Sequence, residues 1–137
     1  MMKLSKLSLF IGKKIGEGRD RSVYEFKFDP SYVIKVDHSK RFANIIEWDI
    51  WNHVSKQLPE LAHFYAPCHS ISKCGKMLIQ VRTHPILKEI ELNIPKFMWD
   101  NRLCNWGMMG HKAVIHDYSN HTMYKNVDTE LVKTIIK

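Results

Sequence analysis

The hydrophobic pattern predicts an α+β fold, on three observations taken from the first 82 residues. Residues 7–37 hold three short runs that alternate or are β-branched, with turn signals between them. Residues 40–56 carry apolar side chains at helical spacing, and residues 66–72 and 76–81 return to strand-like patterning around the turn Lys73-Cys74-Gly75. The expected order is therefore three strands, one helix and two strands.

The first strand covers residues 7–15 and runs into the turn Gly16-Glu17-Gly18-Arg19-Asp20-Arg21. Residues 22–28 alternate with period two and stop at Asp29-Pro30-Ser31, a turn signal; residues 32–36, YVIKV, form the third strand. In the helix, Phe42, Ile46, Ile50 and Val54 form an apolar stripe with Ala43 and Trp51 alongside. Glu47 falls on that stripe, and a carboxylate facing a core is costly unless a cation meets it. Lys35, on the third strand, is the expected partner; the plainer alternatives are a strand lysine facing solvent and a rim glutamate bent toward water. Between residues 86 and 99 at most a short helix fits before Pro95 breaks it. Asp128 reads as the N-cap of a final helix with Leu131, Val132, Ile135 and Ile136 on its apolar face.

Composition narrows the classes of function. Of 137 residues, 45% are hydrophobic and 26% charged, which is a globular balance with room for one real core. A formal net charge of +7 favours an anionic partner but does not specify nucleic acid, for which nothing else speaks. Cys68, Cys74 and Cys104 cannot all pair and match no zinc spacing, so they are expected to be reduced thiols in a cytoplasmic protein. The apolar run at residues 7–12 is too short for a signal-peptide core or a membrane span. His111, His116 and His121 recur every five residues, a poor spacing for metal ligands on one helix face. Trp48, Trp51, Trp99 and Trp106 are interleaved with aliphatic residues and read as core rather than as base-stacking platforms.

The chemistry concentrates in residues 99–119, WDNRLCNWGMMGHKAVIHDYS. Asp100 is followed five positions later by Asn105, and Asp117 stands behind the short apolar run Ala113-Val114-Ile115. A phosphoryl-transfer site needs a carboxylate to receive the acceptor's proton and further oxygen ligands to hold magnesium. D-x-x-x-x-N, a strand and then D-Y-S resembles the catalytic and metal-binding loops of the protein kinase family, H-R-D-x-x-x-x-N and D-F-G. Upstream, residues 15–23, IGEGRDRSV, resemble the glycine-rich loop G-x-G-x-x-G-x-V, with Arg21 in place of the third glycine; Val33-Ile34-Lys35 resembles V-A-I-K. Gly16-x-Gly18 alone would be only a hairpin turn.

This resemblance implies a truncated kinase-like domain over residues 1–137: a small lobe at 1–84, with a five-stranded antiparallel sheet and one helix, and a severely shortened large lobe at 85–137. It is similar to the small kinase-like proteins of bacteriophages and to the aminoglycoside-kinase relatives. It further implies ATP and Mg2+ as cofactors. Gly16, Gly18 and Val23 would cover the nucleotide, Lys35 would meet its phosphates and Glu47 would hold Lys35. Asn105 and Asp117 would bind the metal and Asp100 would accept the proton. Arg102 stands where serine/threonine kinases carry a lysine that contacts the transferred phosphate, and the backbone of residues 82–85 would be the hinge that reads adenine. Met98-Trp99 replaces His-Arg, Ser119 replaces the last glycine of D-F-G, and no activation loop or A-P-E motif follows. Two functions come out of this: phosphoryl transfer from ATP to a protein hydroxyl, or an inactive kinase-like module that binds and inhibits a host protein.

Overall fold

The computed structural model describes residues 9–98, 100–120 and 128–137. The chain divides into two compact units: the first takes in residues up to Asp49 together with Pro67–Arg82, the second Ile50–Ala66 and the chain from Thr83 onward.

The first unit holds a five-stranded antiparallel sheet, in the order β1-β2-β3-β5-β4, and the start of the helix α1 (Ala43–Gln57). Strands β1 (Ile11–Glu17) and β2 (Arg21–Phe26) are longer toward their shared turn than the sequence indicates. Gly16 and Arg21 are therefore strand residues, and the turn shrinks to Gly18-Arg19-Asp20, closed by Gly18 N–H donating to the Arg21 carbonyl at 2.8 Å. β3 (Tyr32–Asp37) is central; Val33, Ile34 and Lys35 are all buried, so both of its faces are covered. β4 (Cys68–Ile71) and β5 (Met77–Val81) turn at Gly75, whose φ of +78° suits glycine and whose missing Cβ leaves room for Ile45.

Helix α1 has a different phase from the predicted stripe. Ala43, Asn44, Glu47, Ile50 and Val54 are buried, whereas Phe42 and Ile46 are exposed. Phe42 precedes the helix with φ +58°, unusual for a bulky side chain. A polar network fixes this entry: Asp37 accepts from the backbone N–H and the hydroxyl of Ser39, and from the Asn44 N–H. Asn44 in turn donates its amide to the carbonyls of Lys35 and Gly75.

In the second unit strands stand where the sequence allows or predicts helix. No helix fills residues 86–98; instead β6 (Ile90–Pro95) forms, and the tail that reads as a helix is β9 (Leu131–Ile136), antiparallel to β6 with Ile90 opposite Ile136. Asp128 caps no helix; its carboxylate accepts from Glu130 N–H in a turn before β9. The hairpin β7 (Trp106–Met109) and β8 (Lys112–Ile115) supplies the expected strand before Asp117. Of the tryptophans, Trp106 is buried, Trp48 and Trp51 are half-buried, and Trp99 lies outside the described residues, as does His121. Cys68, Cys74 and Cys104 form no disulfide. No described helix is long and apolar enough to cross a membrane.

Candidate functional site

The sheet register aligns the first group of candidates. Gly16 is opposite Val23, and Val23 is opposite Lys35, so the three occupy one row across β1, β2 and β3 and share a face. Neither Gly16 nor Gly18 has a positive φ, and a Cβ at either would make ordinary contacts, with Val23 at 3.7 Å or the Arg21 carbonyl at 3.8 Å. The hairpin itself does not demand glycine at these positions.

Lys35 Nζ lies 2.6 Å from Glu47 Oε1, with both side chains buried. The inferred pair is present, and the solvent-facing alternatives for both residues are excluded. Its surroundings go beyond the sequence expectation. Arg21 shares the inward face of β2 with Val23, two residues on; its guanidinium reaches Glu47 Oε2 at 3.0 Å and Asn44 Oδ1 at 3.3 Å. Gln80 Nε2 donates to Glu47 Oε1 at 3.2 Å. Thus the residue in the place of the third glycine is a buried cation on the same carboxylate as Lys35. The sequence does carry a signal for this, because period-two alternation through β2 puts Arg21 and Val23 on one face.

The second group gathers in the second unit. Asp100 is buried and accepts from Asn105 Nδ2 at 2.7 Å, from Arg102 N–H at 3.1 Å, and from Arg102 Nε and Nη2 at 3.3 and 3.4 Å. Burial pushes this carboxyl's pKa up, but the hydrogen bonds from Arg102 and Asn105 outweigh burial and hold it below the ordinary aspartate value. The Asp100 carbonyl accepts from Trp106 Nε1, which anchors the loop to the buried indole. The last strand braces it further: Lys137 N–H donates to the Asn101 carbonyl and Leu103 N–H to the Lys137 carbonyl, each at 2.9 Å.

Asn105 also links the two loops, since its carbonyl accepts from the N–H groups of His116 and Asp117. His116 is fixed by Thr83 Oγ1 on Nδ1 and the Cys104 carbonyl on Nε2, at 2.7 and 2.9 Å, so Nε2 carries the hydrogen. Gly107 permits that approach, because a Cβ there would collide with Thr83 Oγ1. After Asp117, the buried Tyr118 donates its hydroxyl to the Ala66 carbonyl and packs edge-on against Tyr65. In the expected hinge, Arg82 N–H donates to the Ser31 carbonyl and His84 exchanges two backbone hydrogen bonds with Met108. These two hinge donors are used inside the protein, against the expectation that they read an adenine edge.

Among the described residues no group of three or more His, Cys, Asp or Glu side chains could hold a metal. The Asn105 amide oxygen and the partly exposed Asp117 carboxylate are hard oxygen donors, and magnesium takes one or two such protein ligands with phosphate and water completing its shell. Oxygen donors of this kind suit Mg2+ by their chemistry, whereas zinc prefers nitrogen and sulfur. No family model, no curated protein and no solved structure matches the chain.

Proposed function

We propose that the chain is a minimal kinase-like protein that binds Mg-ATP and transfers its terminal phosphoryl group to a protein hydroxyl. The observation that carries this is the buried Lys35–Glu47 ion pair, whose lysine lies on the sheet row that also holds Gly16 and Val23. A buried ion pair seldom stabilises a fold more than apolar side chains of the same volume, so its presence here calls for a use. Lys35 meets the nucleotide phosphates, and the loop at Gly16 and Gly18 lets backbone approach them. Asn105 and Asp117 hold magnesium, which neutralises phosphate charge when bound.

In the transfer step the acceptor oxygen bonds to the terminal phosphorus, the bond from that phosphorus to the bridging oxygen breaks, ADP leaves, and the hydroxyl proton passes to Asp100. The hydrogen bonds of Arg102's guanidinium to Asp100 are longer than that of Asn105, and its side chain is 62% exposed, which supports Arg102 as the group that meets the transferred phosphate in this reading.

A second reading, a non-catalytic module that binds and inhibits another protein, has its own support. Asp100 is engaged by Arg102 and Asn105, and Phe42, Ile45 and Ile46 form an exposed apolar surface beside Lys40 and Arg41. Incubation with radiolabelled ATP, magnesium and cell extract separates the two. Phosphoryl transfer predicts labelled protein with wild type and none with Asp100→Ala, whereas labelling absent from wild type leaves the inhibitor.

A further inference from the structure

Glu47 presents two carboxylate oxygens to two buried cations. Oε1 takes Lys35 at 2.6 Å and Gln80 at 3.2 Å; Oε2 takes Arg21 at 3.0 Å. The arginine is itself held in place. Asn44 turns its oxygen toward Arg21 because its amide nitrogen donates to the carbonyls of Lys35 and Gly75, at 2.9 and 3.1 Å. Arg21 and Lys35 leave adjacent strands on the same face, since Arg21 is opposite Asp37 and Lys35 is two residues earlier on β3.

We propose that Arg21 is a positioning residue, the standing counter-ion of Glu47, which keeps that carboxylate paired when Lys35 turns to an anionic phosphate. The proposal deepens the nucleotide-binding reading and rests on it for its ligand. A lysine that is the sole counter-ion of a buried carboxylate must weaken that pairing to serve a phosphate, and the cost of the uncompensated buried charge is subtracted from affinity. With Arg21 on the second oxygen, the exchange leaves Glu47 compensated. Guanidinium suits the role: it stays charged at all working pH values and its planar fork holds Glu47 and Asn44 together.

The test has a stability arm and a binding arm. Denaturation of wild type, Lys35→Met, Arg21→Met and the double variant forms a double-mutant cycle, repeated with Glu47→Gln. The expected result is that either single variant stays folded, that the double loses more than the sum of the singles, and that Glu47→Gln removes this excess. An additive cycle overturns shared pairing, whether or not nucleotide binds. In the binding arm, calorimetry with Mg-ATP should show about tenfold weaker binding in Arg21→Met, about 1.4 kcal/mol, with Lys35 still in place and substantial rescue by Arg21→Lys. Unchanged affinity in a folded Arg21→Met overturns the positioning role. Wild type that binds no Mg-ATP overturns the nucleotide-binding reading and, with it, the proposed purpose of Arg21, while the cycle alone still decides whether Glu47 is shared.

Discussion

Asn105 donates its side-chain amide to Asp100 at 2.7 Å, so the residue expected to bind metal also holds the expected proton acceptor. Asn105→Ala should cost about 1.5–3 kcal/mol, the usual value for a hydrogen bond to a charged group. The loss should depend on pH. The pKa of Asp100 is depressed by its hydrogen bonds, so their stabilisation is complete above the unfolded aspartate value of about 3.9 and disappears as pH falls through the lower folded value. Urea titrations should show the gap between wild type and variant at pH 7 and a smaller gap once the pH falls below the unfolded aspartate value. An equal gap at both pH values would mean that the charge of Asp100 plays no part.

The glycines divide by what surrounds them. Gly16→Ala and Gly18→Ala meet no close neighbour and no left-handed φ, so each should leave stability unchanged or raise it by about 0.4–1 kcal/mol through the unfolded chain. Both should weaken Mg-ATP binding if the backbone there lies against phosphate. Gly107→Ala should cost about 1–3 kcal/mol, because its Cβ would strike Thr83. Thermal denaturation with and without Mg-ATP reads all three. Full nucleotide affinity in Gly16→Ala or Gly18→Ala would remove the glycine-rich loop from the account.

The terminal strand gives a further expectation. Ile136 is fully buried on β9, and Ile136→Ala should cost about 2–5 kcal/mol, as large-to-small core changes do. Leu131 is 57% exposed, so Leu131→Ala should cost much less. A helix with Leu131, Val132, Ile135 and Ile136 on one apolar face would make both changes costly; chemical denaturation tells the two arrangements apart.

How much of the fold and site is legible varies with the kind of signal. The five strands of the first unit and helix α1 can be read because β-branched runs alternate cleanly with turn residues, and Glu47 stands out as a carboxylate among apolar neighbours. The helix phase is harder to read because Phe42 and Ile46 fit the same spacing as Ala43, Glu47, Ile50 and Val54, and only tertiary packing chooses between such faces. The pairing of β6 with β9 escapes the sequence reading although Ile90, Leu92 and Ile94 alternate with Glu91 and Asn93, and Val132, Thr134, Ile135 and Ile136 are β-branched. Leu131, Val132, Ile135 and Ile136 also suit one helix turn, and a strand partner far along the chain leaves no local trace. Comparison with a glycine-rich loop makes Arg21 a lost glycine, which hides its gain of a buried charge.

Magnesium-dependent binding of ATP to the folded wild-type chain tests the central claim most directly. Bound nucleotide at a hundredfold its dissociation constant should stabilise the fold by about 2.7 kcal/mol, seen as a rise in Tm that needs both ATP and Mg2+ and is lost in Asp117→Ala. A cooperative melting curve that does not move with millimolar Mg-ATP would contradict the account.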